Sequence, residues 1–360
     1  MSLAQPKRIL IIKLRHHGDV LLSTPVVDAL KTRFPDCEID MLVYAGTGQL
    51  IADNPQITQI FTIDRNWKKL GVFKQLACEK NLFSKLKARD YDWAFNLSDQ
   101  WRAAVIAKLC ARCSVGFDCI KRDGFWWRFC HDFINHELDT SHHIVENQLN
   151  ILAPLIQPED VADAKVRLWV AQDARESMRQ KLREQGWNGE DYVLLHPGAR
   201  WHFKCWEDGK NAAIVQLLLN SGQNVVLTAS PDSVEQYMLQ EIIGRLNIPE
   251  GRKVYVLSGC LSLRELAAAI EGAKLFIGVD SAPMHIAAAL DKPQIALFGA
   301  SWVDKWRPYS EQAEVIYAGD YAELPHPDSI DTNDPTRLLK AIPLQDVWDR
   351  ISAKLEALEA

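Results

Sequence analysis

The sequence predicts an α/β protein of two successive domains facing a central cleft, and three observations predict it. The stretch Leu275–Gly299 reads as an apolar run, a tight turn at Asp280-Ser281, an alanine-rich helical run, and a second apolar run through Ile295-Ala296-Leu297-Phe298. Strand, turn, helix and strand in that order form a βαβ unit, whose crossover is right-handed and whose sheet is parallel. The first half repeats the theme, with Arg8-Ile9-Leu10-Ile11-Ile12 leading through Gly18 into a helical pattern that runs to Phe34-Pro35. A chain of 360 residues also exceeds the usual single core, which favours two domains of roughly 150 to 180 residues each. Two Rossmann-like domains satisfy all three.

Composition narrows the class. Hydrophobic content of 48% and charged content of 24% describe an ordinary globular protein. No apolar run reaches the ~18–20 residues of a membrane span, and Met1–Arg8 lacks the order of a signal peptide. A cytoplasmic protein is therefore expected, whose eight cysteines stay thiols. The net charge of −6 hides an asymmetry: residues 1–150 hold 20 Lys and Arg against 17 Asp and Glu, and residues 151–360 hold 21 against 30. A mildly basic first half can face an anionic partner, but it lacks the basic stripe expected for nucleic acid.

In the first half, Lys13 to Asp19 follows the opening strand, and in open α/β sheets the carboxyl edge is where ligands bind. Asp19 is either an N-cap or a base, and a helix start favours its ionised form. Arg15 and His17 flank it. Glu38–Val43 is the second strand and Ile57–Ile63 a third. Arg65, Lys68 and Lys69 follow at a strand end and are candidates for an anionic acceptor, whereas the lysines from Lys74 to Lys87 read as a solvated helix face. Tyr91–Leu97 is another strand, with Arg102 just past it.

Cys110-Ala111-Arg112-Cys113, with Cys119 and Cys130 nearby, has no second paired knuckle, so buried thiols are expected in place of zinc. His131, His136, His142 and His143 read as loop histidines; His136–Thr140 has a Thr where a zinc-protease helix needs its second His. In Gly124–Phe129, large aromatics beside Arg122 and Arg128 suit either a membrane surface or a core, and core packing is the expected use of most rings. Ile144–Leu152 closes the first domain.

Gly186-Trp187-Asn188-Gly189 is the best linker candidate, and the expected division is residues 1–172, 173–342 and a final helix in 343–360 packing back toward the first domain. The second domain opens with Tyr192–Leu195 and His196-Pro197-Gly198-Ala199-Arg200, followed by Lys204-Cys205-Trp206. The turn at Asp280-Ser281 offers helix-start N–H groups to a phosphate, with Pro283 fitting the first turn. His285 lies one turn in. Neither a G-x-G-x-x-G nor a P-loop occurs, which counts against dinucleotide oxidoreductases and P-loop kinases.

Three blocks together resemble one family. Lys13 with Gly18-Asp19-Val20-Leu21-Leu22-Ser23-Thr24-Pro25, then His196-Pro197-Gly198 with Lys204-Cys205-Trp206, then Val279–His285 with Phe298-Gly299, are similar to the ADP-heptose:lipopolysaccharide heptosyltransferases of glycosyltransferase family 9. The resemblance covers nearly the whole chain and implies a GT-B fold. It implies inverting transfer of heptose from ADP-L-glycero-D-manno-heptose to the lipopolysaccharide inner core, a heptosylated Kdo-lipid A, at the third, branching heptose. It further implies no cofactor or metal, and peripheral contact with the cytoplasmic face of the inner membrane.

By the same resemblance Asp19 is the base, Lys204 contacts the diphosphate and Asp280 holds heptose hydroxyls. The backbone of Ser281, Ala282 and Met284 seats the diphosphate with His285, and Leu261 lines the adenine pocket. Ala199 and Arg200 stand where relatives often carry small hydroxyl residues, and no Glu occupies Ser230-Pro231-Asp232, where some relatives hold the ribose. Arg15, His17, Arg65, Lys68, Arg102 and Arg122 are the acceptor candidates. Two alternatives stay open: an enzyme on another nucleotide sugar, such as an epimerase, which releases free product without a lipid acceptor, and a non-catalytic nucleotide-sugar-binding protein, which transfers nothing.

Overall fold

A computed structural model describes residues 5–118, 122, 124–136, 141–161 and 163–359. Cys119 and the Glu137–Thr140 part of the histidine segment lie outside the described residues. The chain divides into two compact units, Met1–Trp169 and Val170–Ala360.

The first unit carries strands β1 (Arg8–Lys13), β2 (Glu38–Tyr44), β3 (Gln59–Ile63), β4 (Tyr91–Asn96), β5 (Ala111–Phe117) and β6 (Phe133–Asn135). They form one sheet in the order β3-β2-β1-β4-β5-β6. The second unit carries β7 (Tyr192–His196), β8 (Asn224–Ala229), β9 (Val254–Ser258), β10 (Leu275–Val279), β11 (Gln294–Phe298) and β12 (Ala313–Tyr317), in the order β12-β11-β10-β7-β8-β9. Every pairing in both sheets is parallel. Helices cover both faces of a parallel sheet, so its central strands read as unbroken apolar runs: Ile9–Ile12 are wholly buried, as are all residues of β10 and β11. Both orders are doubly wound, which creates a crevice where strand order reverses, between β1 and β4 in one unit and β7 and β10 in the other.

One element differs from expectation after β1. The single helix expected to run to Phe34 is broken into His17–Leu21 and Thr24–Arg33. Pro25 has no N–H to give to the Leu21 carbonyl four residues back, so the ladder stops there. Side chains take over: Thr24 Oγ1 donates to the Leu21 carbonyl at 2.8 Å and Ser23 Oγ to that of Val20 at 2.6 Å.

Two expectations about organisation are corrected. Gly186–Gly189 is a turn inside the second unit, because the helix before it, Gln172–Arg183, is bolted to the helix Leu263–Gly272. Arg175 grips Glu271 through two bonds of 2.6 and 2.7 Å, and Lys181 meets Glu265 at 2.5 Å. The final helix, Leu344–Glu359, expected to pack toward the first domain, is part of the second unit and its core, with Val347, Ile351 and Leu355 buried in one cluster with Leu218 and Val225. An apolar stripe tells that a helix needs a groove; it does not tell which groove.

The Glu265 contact sets an acid-sensitive joint. Burial raises its pKa, but hydrogen bonds from Lys181, Ser177 and Ser262 outweigh that and bring it down from 4.5 to about 2. A lowered carboxylate pKa stabilises the fold above the ordinary value and loses that stabilisation as pH falls toward the folded value. Glu265→Gln should therefore lower the melting temperature at neutral pH, with the gap from wild type closing as the pH drops from 4.5 to about 2. Thermal melts across that range check it; a gap independent of pH would assign the effect to packing.

Candidate active site

In the second unit the β7–β10 register places Gly278 opposite His196. Asp280, two residues past Gly278, thereby comes alongside the loop that leaves β7. Its Oδ2 accepts a 2.5 Å charge-assisted bond from Lys204 Nζ, the two side chains being 6% and 15% exposed. The Lys204 ammonium also lies 5.2 Å from the centroid of the Trp201 ring, which stacks on Phe203.

Neighbours fix this loop. Trp206 is fully buried and its indole N–H donates to the Ile342 carbonyl at 3.3 Å. Arg337 donates to the Trp206 carbonyl and Asp208, at 2.8 and 2.6 Å. In the Lys204-Cys205-Trp206 block the tryptophan thus anchors and the lysine is presented.

The helix after β10, Ala282–Ala289, starts as expected, with Ser281 at its N-cap and Pro283 in its first turn. Ser281 Oγ caps nothing and donates instead to the Val279 carbonyl at 3.3 Å. The Met284 N–H donates to the Ser281 carbonyl at 3.1 Å. His285 is buried one turn into this helix. Ala199 is buried, Arg200 is exposed with its guanidinium 5.8 Å from the Trp201 ring, and Leu261 is half-buried just beyond β9.

Sequence reasoning missed Glu235. On the helix Ser233–Ile243, Glu235 is 7% exposed and accepts the Ser230 N–H at 3.0 Å. It packs so tightly on the β7 loop that a Cβ on Gly198 would stand 2.5 Å from its Oε2. The signal was present: Asp232 caps the helix and Glu235 follows at the capping-box spacing. His196, by contrast, is a core histidine. It bonds Thr228 Oγ1 at 2.9 Å, and burial holds its pKa below the ordinary value against the opposing pull of Glu235.

In the first unit, β1 and β4 are tied together past their carboxyl ends: the Leu14 N–H donates to Ser98 Oγ at 2.7 Å and Gln100 Nε2 to the Leu14 carbonyl at 2.9 Å. Asp19 sits at the third position of the helix His17–Leu21 and is not its N-cap, which is His16. Its Oδ2 accepts the His16 N–H at 3.3 Å, and Arg15 stands 3.8 Å from Oδ1 while also lying 3.6 Å from Asp99. Burial lowers the His17 pKa, with His16 and Arg65 pushing the same way. Arg65 lies over the Tyr44 ring at 4.0 Å, and the Tyr44 hydroxyl bonds Gln100. Arg122 reaches the same edge through its 2.9 Å bond to the Asp99 carbonyl.

Of the acceptor candidates, Arg15, His17, Arg65 and Arg122 gather at this carboxyl edge. Lys68 is exposed on the turn after Arg65, and Arg102 is turned to Glu79 on the helix Val72–Ala88. Asp99, Gln100 and Tyr44 belong to the cluster and were not singled out in the sequence. The histidines divide: His131 is buried against Gly116 with Nδ1 3.0 Å from the Trp127 carbonyl, and His143 caps the helix Ile144–Asn150. Both lie outside helices and strands, as expected of loop histidines, but both are buried.

Among the described residues no cluster of three or more His, Cys, Asp or Glu side chains could hold a metal ion, and no helix is long and apolar enough to cross a membrane. The described cysteines are free, and burial pushes the Cys110 and Cys113 thiols up to about 11.

Glycosyltransferase family 9 (heptosyltransferase) matches residues 80–336. Lipopolysaccharide heptosyltransferase 3 of Escherichia coli is 38% identical over 335 residues, covering 93% of this chain and 95% of that protein. The chain belongs to glycosyltransferase family 9. As a member it is a heptosyltransferase, and its two doubly wound units are those of the GT-B fold. A family 9 glycosyl transferase from Veillonella parvula superposes with a TM-score of 0.82 at 21% identity, covering 99% of both chains. E. coli ADP-heptose lps heptosyltransferase II superposes at 0.77 with 22% identity, covering 98% of this chain and 100% of that one. In this heptosyltransferase the family's second and third sequence blocks meet physically in the Lys204–Asp280 pair.

Proposed function

We propose that this heptosyltransferase moves L-glycero-D-manno-heptose from ADP-heptose, with inversion, to the third, branching position of the lipopolysaccharide inner core. The observation that carries the donor half is the Lys204–Asp280 pair beside the β7–β10 crevice. The acceptor half rests on the 38% identity to heptosyltransferase 3.

Displacing ADP from the anomeric carbon needs a base for the acceptor hydroxyl and positive charge for the departing diphosphate. The Asp19 carboxylate takes the hydroxyl proton as the oxygen attacks the carbon opposite the leaving phosphate. Lys204, with the helix-start backbone of Ser281 and Ala282 and nearby His285, receives the diphosphate. Asp280, already holding Lys204, uses its remaining acceptor capacity on heptose hydroxyls. Glu235, in place of the Glu missing from Ser230–Asp232, holds the ribose, and Leu261 borders the adenine. Arg15, Arg65 and Arg122 face the anionic core acceptor, with His17 as a neutral hydrogen-bonding ring. Lys204 and the helix start provide the charge that a metal would otherwise bring, so transfer proceeds without one. The acceptor is lipid-anchored, which places the work at the cytoplasmic face of the inner membrane.

The test is transfer of radiolabelled heptose from ADP-heptose to core lipopolysaccharides truncated at successive sugars, with chelator present. Label should enter a core that already bears two heptoses and should not enter one that ends at Kdo. Transfer onto the Kdo-terminated core would refute the third-heptose assignment, and free heptose product without an acceptor would favour an epimerase or hydrolase.

A further inference from the structure

Eleven of the sixteen large apolar side chains exposed among the described residues lie in the first unit, nine of them on the helices Val72–Ala88, Trp101–Cys110 and Phe125–Phe129. A groove of about 500 Å³ runs between the helices Val72–Ala88 and Trp101–Cys110, walled by Leu76, Phe83, Trp101, Val105 and Leu109. Phe73, 89% exposed, stands one turn before Leu76 at the start of the first of these helices. At the other end Trp101 packs edge-on against Trp127, their centroids 5.5 Å apart. Trp127 is the buried anchor of the short helix Phe125–Phe129, whose Phe125, Trp126 and Phe129 stay exposed and lie 5.4 to 6.4 Å from one another.

These three rings are held out by design of the backbone. The Trp127 indole N–H donates to the Phe117 carbonyl at 2.8 Å, and the Trp127 carbonyl is bonded by His131, itself buried under β5. Burying one ring of the five-residue helix this firmly fixes the other three toward solvent. A surface of this kind marks an interaction site.

Charge selects the occupant. Between Arg65 and Lys87 the chain carries seven Lys and Arg and a single acid, Glu79. Lys68, Lys69, Lys74 and Lys80 are exposed around the apolar strip, and Lys80 borders the groove itself. The one acid is consumed in its pair with Arg102. Protein interfaces are depleted in lysine at their cores, whereas aromatic rings ringed by lysine suit a leaflet with anionic headgroups.

We infer that the helices Val72–Ala88, Trp101–Cys110 and Phe125–Phe129 form a docking face for an anionic lipid bilayer, with Phe73, Phe125, Trp126 and Phe129 entering the headgroup–acyl boundary. The inference deepens the function proposed above, since it names the surface by which a lipid-anchored acceptor is met. The face also adjoins the base: Trp101 directly follows Asp99 and Gln100, which belong to the Asp19 cluster. A leaflet docked here brings the acceptor's sugars to the carboxyl edge of the first sheet.

The full chain and two double variants, Phe73→Glu with Trp126→Glu and Lys74→Glu with Lys80→Glu, are sedimented with vesicles of phosphatidylcholine mixed with phosphatidylglycerol, or of phosphatidylcholine alone. Wild type should bind the mixed vesicles, less so at high salt, and each variant should bind about tenfold more weakly or worse. Both variants should transfer heptose at wild-type rates to a water-soluble, deacylated core oligosaccharide and slowly to acceptor in vesicles. Wild-type vesicle binding by both variants would overturn the inference. So would self-association of the lipid-free protein that the Phe73→Glu, Trp126→Glu pair abolishes, because the face would then be an interface between copies. Failure of wild type to transfer to any acceptor would refute the proposed function, while the vesicle result would still decide the surface.

Discussion

Asp19→Asn should reduce heptosyl transfer by about two to four orders of magnitude, the range a positioned general base contributes, while leaving ADP-heptose affinity nearly unchanged. Asparagine is the informative replacement because Asp19 has two duties. Its Oδ2 accepts the His16 N–H at the start of the helix His17–Leu21. An amide oxygen keeps that bond and the side chain's shape, but it cannot take a proton. Asp19→Ala loses both the base and the acceptor of the His16 N–H, and one lost hydrogen bond costs about 0.5–1.5 kcal/mol of stability. The two variants therefore separate chemistry from folding: both should be inactive, and the alanine variant should melt lower. Titration calorimetry with ADP-heptose supplies the second readout. Turnover by the asparagine variant near the wild-type rate would remove Asp19 as the base and move attention to Asp99, the other carboxylate that Arg15 reaches.

Lys204→Ala should weaken ADP binding by ~1.5–3 kcal/mol, from about tenfold to somewhat over a hundredfold. The figure takes the charge-assisted range because the ammonium is largely shielded from water, held by Asp280 and the Trp201 ring. The replacement has a second consequence. Asp280 is only 6% exposed, and removing its partner leaves a buried carboxylate uncompensated, which is typically destabilising by about 3–5 kcal/mol. Lys204→Ala with Asp280→Asn relieves that burden while leaving the diphosphate without its cation. The double variant should recover most of the lost thermal stability and none of the lost ADP affinity. Unchanged ADP affinity in calorimetry would take Lys204 out of the donor site and reduce its pair with Asp280 to a structural strut.

The contrast between what was legible and what was not follows from the range of the interactions. Strands of a parallel sheet are buried on both faces, so β1, β7, β10 and β11 announce themselves as apolar runs. Helix starts follow local rules, and Pro283 after Ser281 marked one correctly. Local rules also cut the other way: the helical pattern expected to run from Gly18 to Phe34 ignores Pro25, whose missing N–H ends the first helix. Glu235 lies one helical turn beyond the strand end, where a reading of strand-end loops does not reach.

Other features had no local signature. Lys204 and Asp280 are 76 residues apart, and only the β7–β10 register brings them together. The aromatic run Phe125–Phe129 was expected to be mostly core; a helix of five residues has room to bury one ring, Trp127, and exposes the rest.

By itself the sequence determined the strands, the order in which they alternate with helices, the family and the residue types that can run a glycosyl transfer. Those properties depend on neighbours a few positions away, or on motifs that survive without coordinates. Tertiary structure alone decided the pairing of Lys204 with Asp280, the arrival of Glu235 beside Gly198, the unit that covers the last helix, and the side of the first domain left apolar and basic. Each of these is a contact between segments distant in the chain, and no periodicity within one segment encodes the identity of the surface it will meet.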